Sequence, residues 1–252
     1  MNWPATMDTC RVSPEASPSI GIAILAKAPI PGLAKTRLIP HLGAEGAAEL
    51  QRRLLRRTLQ TALAAELGPV TLWCAPEVDH PEFIALANDA RIVLRRQIAG
   101  DLGARMLQAV GESASPCGTL VIGTDCPVLD AAHLRRAAEA LAAFPAVLTP
   151  AEDGGYVMIG LRTAQPEIFA RIEWSTAQVM AQTRARLQSA GMRWKEFSPL
   201  WDVDRKEDLL RLQACLPGFG ELRYRRQDNE TVASAHDESC MKEADDQRVD
   251  AG

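Results

Sequence analysis

Short, nearly unbroken apolar runs alternate with longer amphipathic stretches along most of this chain, and that alternation limits its fold more than any other feature. Residues 20–25 carry no polar side chain, as expected of a strand covered on both faces. Further strands are predicted at 70–74, 92–94, 119–122, 146–149, 156–161 and 193–197. Helices are predicted at 44–67, 83–87, 102–110, 131–144, 176–190 and from just after Asp204 to about 216. In the first, Leu50, Leu54, Leu55, Leu59 and Leu63 form an apolar stripe, while Arg52, Arg53, Arg56 and Arg57 face water or a partner. A βαβαβα order favours an α/β fold, a single doubly wound, mostly parallel sheet with helices on both faces. The 252 residues suit one such domain. Its expected extent is 20–216, after a flexible extension at 1–19. From 221 to 252 a disordered acidic tail is expected, with six acids against Lys242 and Arg248 between 237 and 252.

Ligands of such sheets bind beyond the carboxyl ends of the strands, and four charged motifs fall there. The first runs from Lys27 to Leu38, after Ala26, and holds Lys27, Lys35 and Arg37 with Pro29, Pro31 and Gly32 between them. The prolines restrict the loop and Gly32 permits close backbone approach. Fixed cations of this kind offset phosphate charge, and arginine does so bidentately. The order is neither GxxxxGK[ST] nor GxGxxG. The other three motifs are acidic: Gly123-Thr124-Asp125-Cys126-Pro127, Ala151-Glu152-Asp153-Gly154-Gly155-Tyr156 and Trp201-Asp202-Val203-Asp204. Converging carboxylates hold a hard divalent ion such as Mg²⁺ or Mn²⁺.

Each acid has a plainer reading beside the chemical one. Asp125 suits an Asx turn, yet Asp130 is better placed to cap the next helix, which leaves Asp125 for metal. Asp204, three residues before Glu207, reads as a helix cap, so Asp202 is the favoured second ligand and Asp204 its competitor. Glu152 and Asp153 precede a Gly-Gly turn and are candidates to contact an acceptor or act as base. Gln97, Gly100, Asp101 and Arg105 are candidates to line a base, ribose or phosphate pocket, though Asp101 also suits a cap. Cys126 lacks a nearby histidine and reads as packing.

Other classes fall away. The net charge of −4 disfavours a nonspecific grip on nucleic acid. No run approaches the roughly 18 apolar residues of a membrane span. Six cysteines without a CxxC pair suit a reducing, cytoplasmic setting. The four histidines show no zinc spacing. Nothing here fixes the oligomeric state.

On the ordered combination of the Lys27–Leu38 loop, Gly123–Pro127, Pro150–Tyr156 and Asp202–Asp204, the chain resembles the bacterial DUF2064 family, also labelled arsenosugar-biosynthesis-type glycosyltransferases, among the GT-A nucleotide-diphospho-sugar-transferase-like enzymes. The loop is also similar to that of small-molecule guanylyltransferases of the 2-phospholactate type. The resemblance implies a nucleotide over the first half of the sheet, Lys35 and Arg37 near phosphates, and Asp125 in a metal site. Arg205 stands where threonine is common in the family. The expectation is a metal-dependent glycosyltransferase moving a sugar from a nucleotide-diphosphate donor to a small acceptor. The first alternative is a nucleotidyltransferase, which takes a nucleoside triphosphate and a small phosphorylated metabolite. The second is a non-catalytic nucleotide-binding module.

Overall fold

The computed structural model describes residues 19–113, 115–216 and 219. The sequence expectations for 1–18 and 221–252 therefore lie outside the described residues. Seven strands form one sheet: β1 Gly21–Lys27, β2 Val70–Ala75, β3 Ile92–Arg96, β4 Thr119–Ile122, β5 Ala146–Pro150, β6 Tyr156–Leu161 and β7 Trp194–Glu196. The helices are α1 Ile39–Ala65, α2 Pro81–Leu86, α3 Leu102–Gly111, α4 Ala131–Ala143, α5 Pro166–Phe169, α6 Val179–Ser189 and α7 Lys206–Cys215. A 3-10 turn, Thr36–Leu38, leads into α1.

The strand order is β3-β2-β1-β4-β6-β5-β7. The chain winds outward from β1 through β2 to β3, then crosses back and places β4 on the other side of β1. The gap between the ends of β1 and β4 is thus the point where the winding reverses, the place where such sheets open a crevice. All pairings are parallel except those of β6, which runs antiparallel to both β4 and β5. That reversal brings Tyr156, the first residue of β6, to the same rim as the last residues of β1, β4 and β5.

Alternation along the strands fills both faces. Ile22, Ile24 and Ala26 of β1 join Leu55, Leu59, Leu134 and Leu141 of α1 and α4. Ala23 and Val121 face the other way, with Met106 of α3, Ile168 of α5 and Leu187 of α6. A third cluster fastens the end of the chain to the first helix: Trp201, Val203, Leu209 and Leu212 pack on Leu38, Leu42, Leu50 and Leu54.

Several helix starts differ from the expectation: α2 begins at Pro81 rather than 83 and α6 at Val179 rather than 176, and α1 and α7 differ as follows. The long helix begins before residue 44, because helical turns lie on both sides of Gly43, whose φ of 72° is non-helical. For α7 the cap shifts by one residue. Asp208, not Glu207, folds back onto the amides of Arg205 (2.6 Å) and Asp204 (2.9 Å), and Arg205 takes the cap position. The arginines of α1 are largely engaged: Arg52 and Arg56 grip the buried Glu82 of α2 (3.0 and 2.6 Å).

Gly160 lies in the middle of β6, between β4 and β5. An added Cβ would stand 2.5 Å from Val147 Cγ2 and 2.6 Å from Leu120 Cδ2. Overpacking of this kind costs about 1–3 kcal/mol. Gly160→Ala is expected to melt several degrees below the parent in a calorimetric scan; an unchanged melting temperature would contradict the close fit of these three strands.

Candidate active site

The loop after β1 is built to turn one cation inward. Ala28 is buried and its amide donates to Ala75 O (2.7 Å), while Ala34 is fully buried beneath the loop. Lys35 then adopts a left-handed backbone (φ 47°, ψ 46°), a conformation that non-glycine residues take at a cost. Its side chain is 4% exposed. The ammonium pairs with Asp125 Oδ1 at 2.8 Å and donates to Val203 O at 2.5 Å. The Val203 amide in turn donates to Asp125 O (2.9 Å). Three segments remote in sequence are thereby joined at the end of β4.

Beside this knot is Asp202. Burial first, then the nearby charges of Asp153 and Asp125, push its carboxyl up from 3.8 to about 6, against the opposing pull of Lys35. Asp204, by contrast, is engaged by Arg37 in an ion pair at the rim. Glu152 is held below the usual carboxylate range by a two-pronged bond from Arg211 of α7 (2.6 and 3.0 Å). The Arg211 guanidinium also lies 4.6 Å from the centre of the Trp201 ring. Asp153 accepts from the Gly155 amide (2.9 Å). Gly154 has a φ of +94°, and a Cβ there would stand 2.3 Å from Ala177 O. The Met180 amide donates to Gly154 O (2.8 Å), so the acidic turn is docked on the start of α6.

Lys27, Lys35, Arg37, Asp125, Glu152, Asp153, Asp202 and Asp204 all line one cleft of about 1000 Å³ at the winding reversal. The remaining expected residues do not. Ala26 is buried and Gly32 lies on the outer loop with no neighbour near its would-be Cβ. Gln97 spends its amide on Ala26 O and Trp73 O (3.1 and 2.7 Å). Asp101 caps α3 through the Ala104 amide (2.8 Å). Gln97 and Arg105 border a second, smaller depression beside Pro76. Asp130 caps α4 through the His133 amide (2.7 Å). Burial pushes the Cys126 thiol up to about 11, which keeps it protonated at neutral pH.

Gln51 was not anticipated. It is 3% exposed and its amide reaches Thr124 Oγ1 (3.1 Å) and Lys27 O (3.2 Å), bracing the ends of β4 and β1. The signal was present: Gln51 precedes Leu54 and Leu55 by three and four residues, so it shares their buried face. Asp208 and Trp174 also line the cleft without having been singled out, as does Arg205, noted above only as standing where threonine is common.

Among the described residues, no three His, Cys, Asp or Glu side chains close around one point. The donor set still fits a hard divalent ion. Mg²⁺ is commonly held by one or two carboxylates, with phosphate oxygens and water completing its shell. Asp125 and Asp202 would supply two, and the crowding of negative charge on Asp202 is what a dication would relieve.

Residues 58–176 match the family described as "Uncharacterized protein conserved in bacteria (DUF2064)". No curated protein matches the chain. A provisionally named nucleotide-diphospho-sugar transferase from Desulfovibrio desulfuricans G20 is similar at 28% identity and a TM-score of 0.65, over 73% of this chain and 82% of that one. A nucleotidyl transferase from Methanothermobacter thermautotrophicus shares the fold at 14% identity and a TM-score of 0.54, over 79% and 98% of the two chains. So does 4-diphosphocytidyl-2C-methyl-D-erythritol synthase from Anaerococcus prevotii DSM 20548, at 14% identity and a TM-score of 0.54, over 79% and 96%. The fold is that of the GT-A-like nucleotide-sugar and nucleotidyl transferases. No helix among the described residues is long and apolar enough to cross a membrane.

Because the folded value of Asp202 lies above its ordinary one, this group favours folding fully below pH 3.8 and loses that contribution as pH rises through about 6. Asp202→Asn removes the penalty. In metal-free buffer, its melting temperature relative to the parent is expected to rise between pH 4 and 7 and then level off. Added Mg²⁺ is expected to stabilise the parent more than the variant. A pH-independent difference would contradict the crowding of Asp202 by Asp125 and Asp153.

Proposed function

We propose that this chain is a divalent-metal-dependent nucleotidyltransferase that joins a nucleoside monophosphate unit to a small phosphorylated acceptor and releases pyrophosphate. It is an enzyme of the transferase class. Support for nucleotide use comes from the cations and carboxylates gathered at the winding reversal, and from the likeness to the Desulfovibrio protein. The choice of reaction rests on Arg211 gripping Glu152 with both prongs. An inverting sugar transfer to a hydroxyl calls for a base at the acceptor. Glu152, one of the two candidates, is already occupied as a structural carboxylate. A phosphomonoester acceptor brings its own oxyanion and needs no base.

In this reading the acceptor oxyanion attacks the α-phosphorus, a new P–O bond forms, and the bond to the β-phosphate oxygen breaks. Electrons and charge move onto the departing pyrophosphate. Lys27 lines the cleft where it would bind the triphosphate, Arg37 would join it on exchanging Asp204 for phosphate, and Lys35 supplies a positive charge beside Asp125. A divalent ion held by Asp125 and Asp202 would add electrostatic stabilisation of phosphoryl charge. Fixed charges of this kind act most strongly where charge develops. A sugar transfer from a nucleotide-diphosphate donor, as in the arsenosugar-type reading, remains the second reading. The name of the Desulfovibrio protein favours it, and Asp153 would then serve the acceptor.

Product analysis with Mg²⁺, nucleoside triphosphates, nucleotide sugars and a panel of sugar and acid phosphates separates the two. Pyrophosphate release is expected; nucleoside diphosphate release from a nucleotide sugar would overturn the first reading in favour of the second. Asp125→Asn and Lys35→Ala are each expected to lower kcat/KM by roughly 100-fold or more. Full activity in both variants would remove the site from the mechanism.

A further inference from the structure

Charge is distributed unevenly within the cleft. The cations and carboxylates gather where the β1 loop, β4 and the Asp202 segment meet. The other end opens over the sheet face that carries Ala23 and Val121, where Leu25, Leu102, Met106, Tyr156 and Trp174 form an uncharged wall. Leu102, on the first turn of α3, leaves 42% of its surface exposed inside this cleft. Apolar area of that size facing a polar site gains when a ligand covers it.

The wall is firmly set. Trp174 lies so close to α3 that a Cβ at Gly103 would stand 2.7 Å from indole Cζ2. Tyr156 meets the indole edge-on, with planes at 84° and centroids 6.5 Å apart. Its hydroxyl approaches Met106 Sδ at 3.7 Å, and burial drives its pKa far above the ordinary value. Trp174 Nε1 is buried and has no hydrogen-bond partner among the described residues. This end therefore presents few hydrogen-bonding groups and offers little to a hydroxyl-rich ligand such as a bare sugar.

We propose that Leu102, Met106 and Trp174 form a subsite for a planar, uncharged ring whose attached phosphate reaches Lys35 and its neighbours. The assignment of the phosphate rests on the nucleotidyl-transfer reading; the ring subsite stands on the wall itself. The ring belongs either to the nucleobase or to an aromatic group on the acceptor, and the same contacts would serve both.

Calorimetric titration of the full chain with Mg²⁺ tests this through two probe pairs. One compares each of the four ribonucleoside triphosphates with inorganic triphosphate; the other compares phenyl phosphate with methyl phosphate. In one pair the ring-bearing member is expected to bind about tenfold tighter or more, as ring stacking allows. Trp174→Leu and Leu102→Gln are each expected to shrink that advantage to about twofold while leaving the ringless member unchanged. The pair that responds names the source of the ring. No ring advantage in either pair, or an advantage that survives in Leu102→Gln, whose position is exposed and safe for folding, overturns the proposal. If no triphosphate binds at all, the nucleotidyl reading fails, and the phenyl–methyl comparison alone decides the ring subsite.

Discussion

The buried ammonium of Lys35 is the interaction on which the architecture of this site depends. A cation withdrawn from water is costly unless paired, and here the partners come from two other parts of the chain, Asp125 at the tip of β4 and the Val203 carbonyl after β7. The left-handed backbone at Lys35 is the local strain that aims it inward. Its cost is offset by a knot in which the Val203 amide also bonds to Asp125 O. The third apolar cluster backs this arrangement, since Val203 and Trp201 are pinned to α1 by packing. Charge and core thus fix the same segment from two sides.

The fold supplies what the loops alone lack. Reversal of winding between β1 and β4 opens the crevice, and the antiparallel course of β6 brings Tyr156 and the acidic turn to the same rim. Strand alternation then gives the cleft two chemistries. Loop residues beyond the strand ends carry the charge, while Leu25 and Val121 continue the apolar face beneath α3.

Much of this was legible in the sequence. All seven strands were located; in β1, β2, β4, β5 and β6 burial leaves little room for polar residues, whereas the edge strands β3 and β7 are partly exposed and carry charges. The four motifs at strand ends were visible because parallel topology puts such ends together. Less legible were features set by tertiary partners. The antiparallel pairing of β6 with β5 could be read from the Asp-Gly turn between them, but its place beside β4 could not. Asp101 reads equally as a cap or a ligand until the Ala104 amide is seen on it. Glu152 looked available because Arg211 lies fifty-nine residues away. Asp204 and Glu207 matched a capping pattern that the helix satisfies one residue later through Asp208.

The contact between Gly154 and Ala177 has a mechanical meaning. With no side chain at Gly154, the turn bearing Asp153 lies directly against the backbone leading into α6, and the Met180 amide bonds across the seam. The same stretch begins three residues earlier with Trp174. The indole and the carboxylate are thus joined by a short stretch of main chain and one backbone hydrogen bond rather than by flexible side chains.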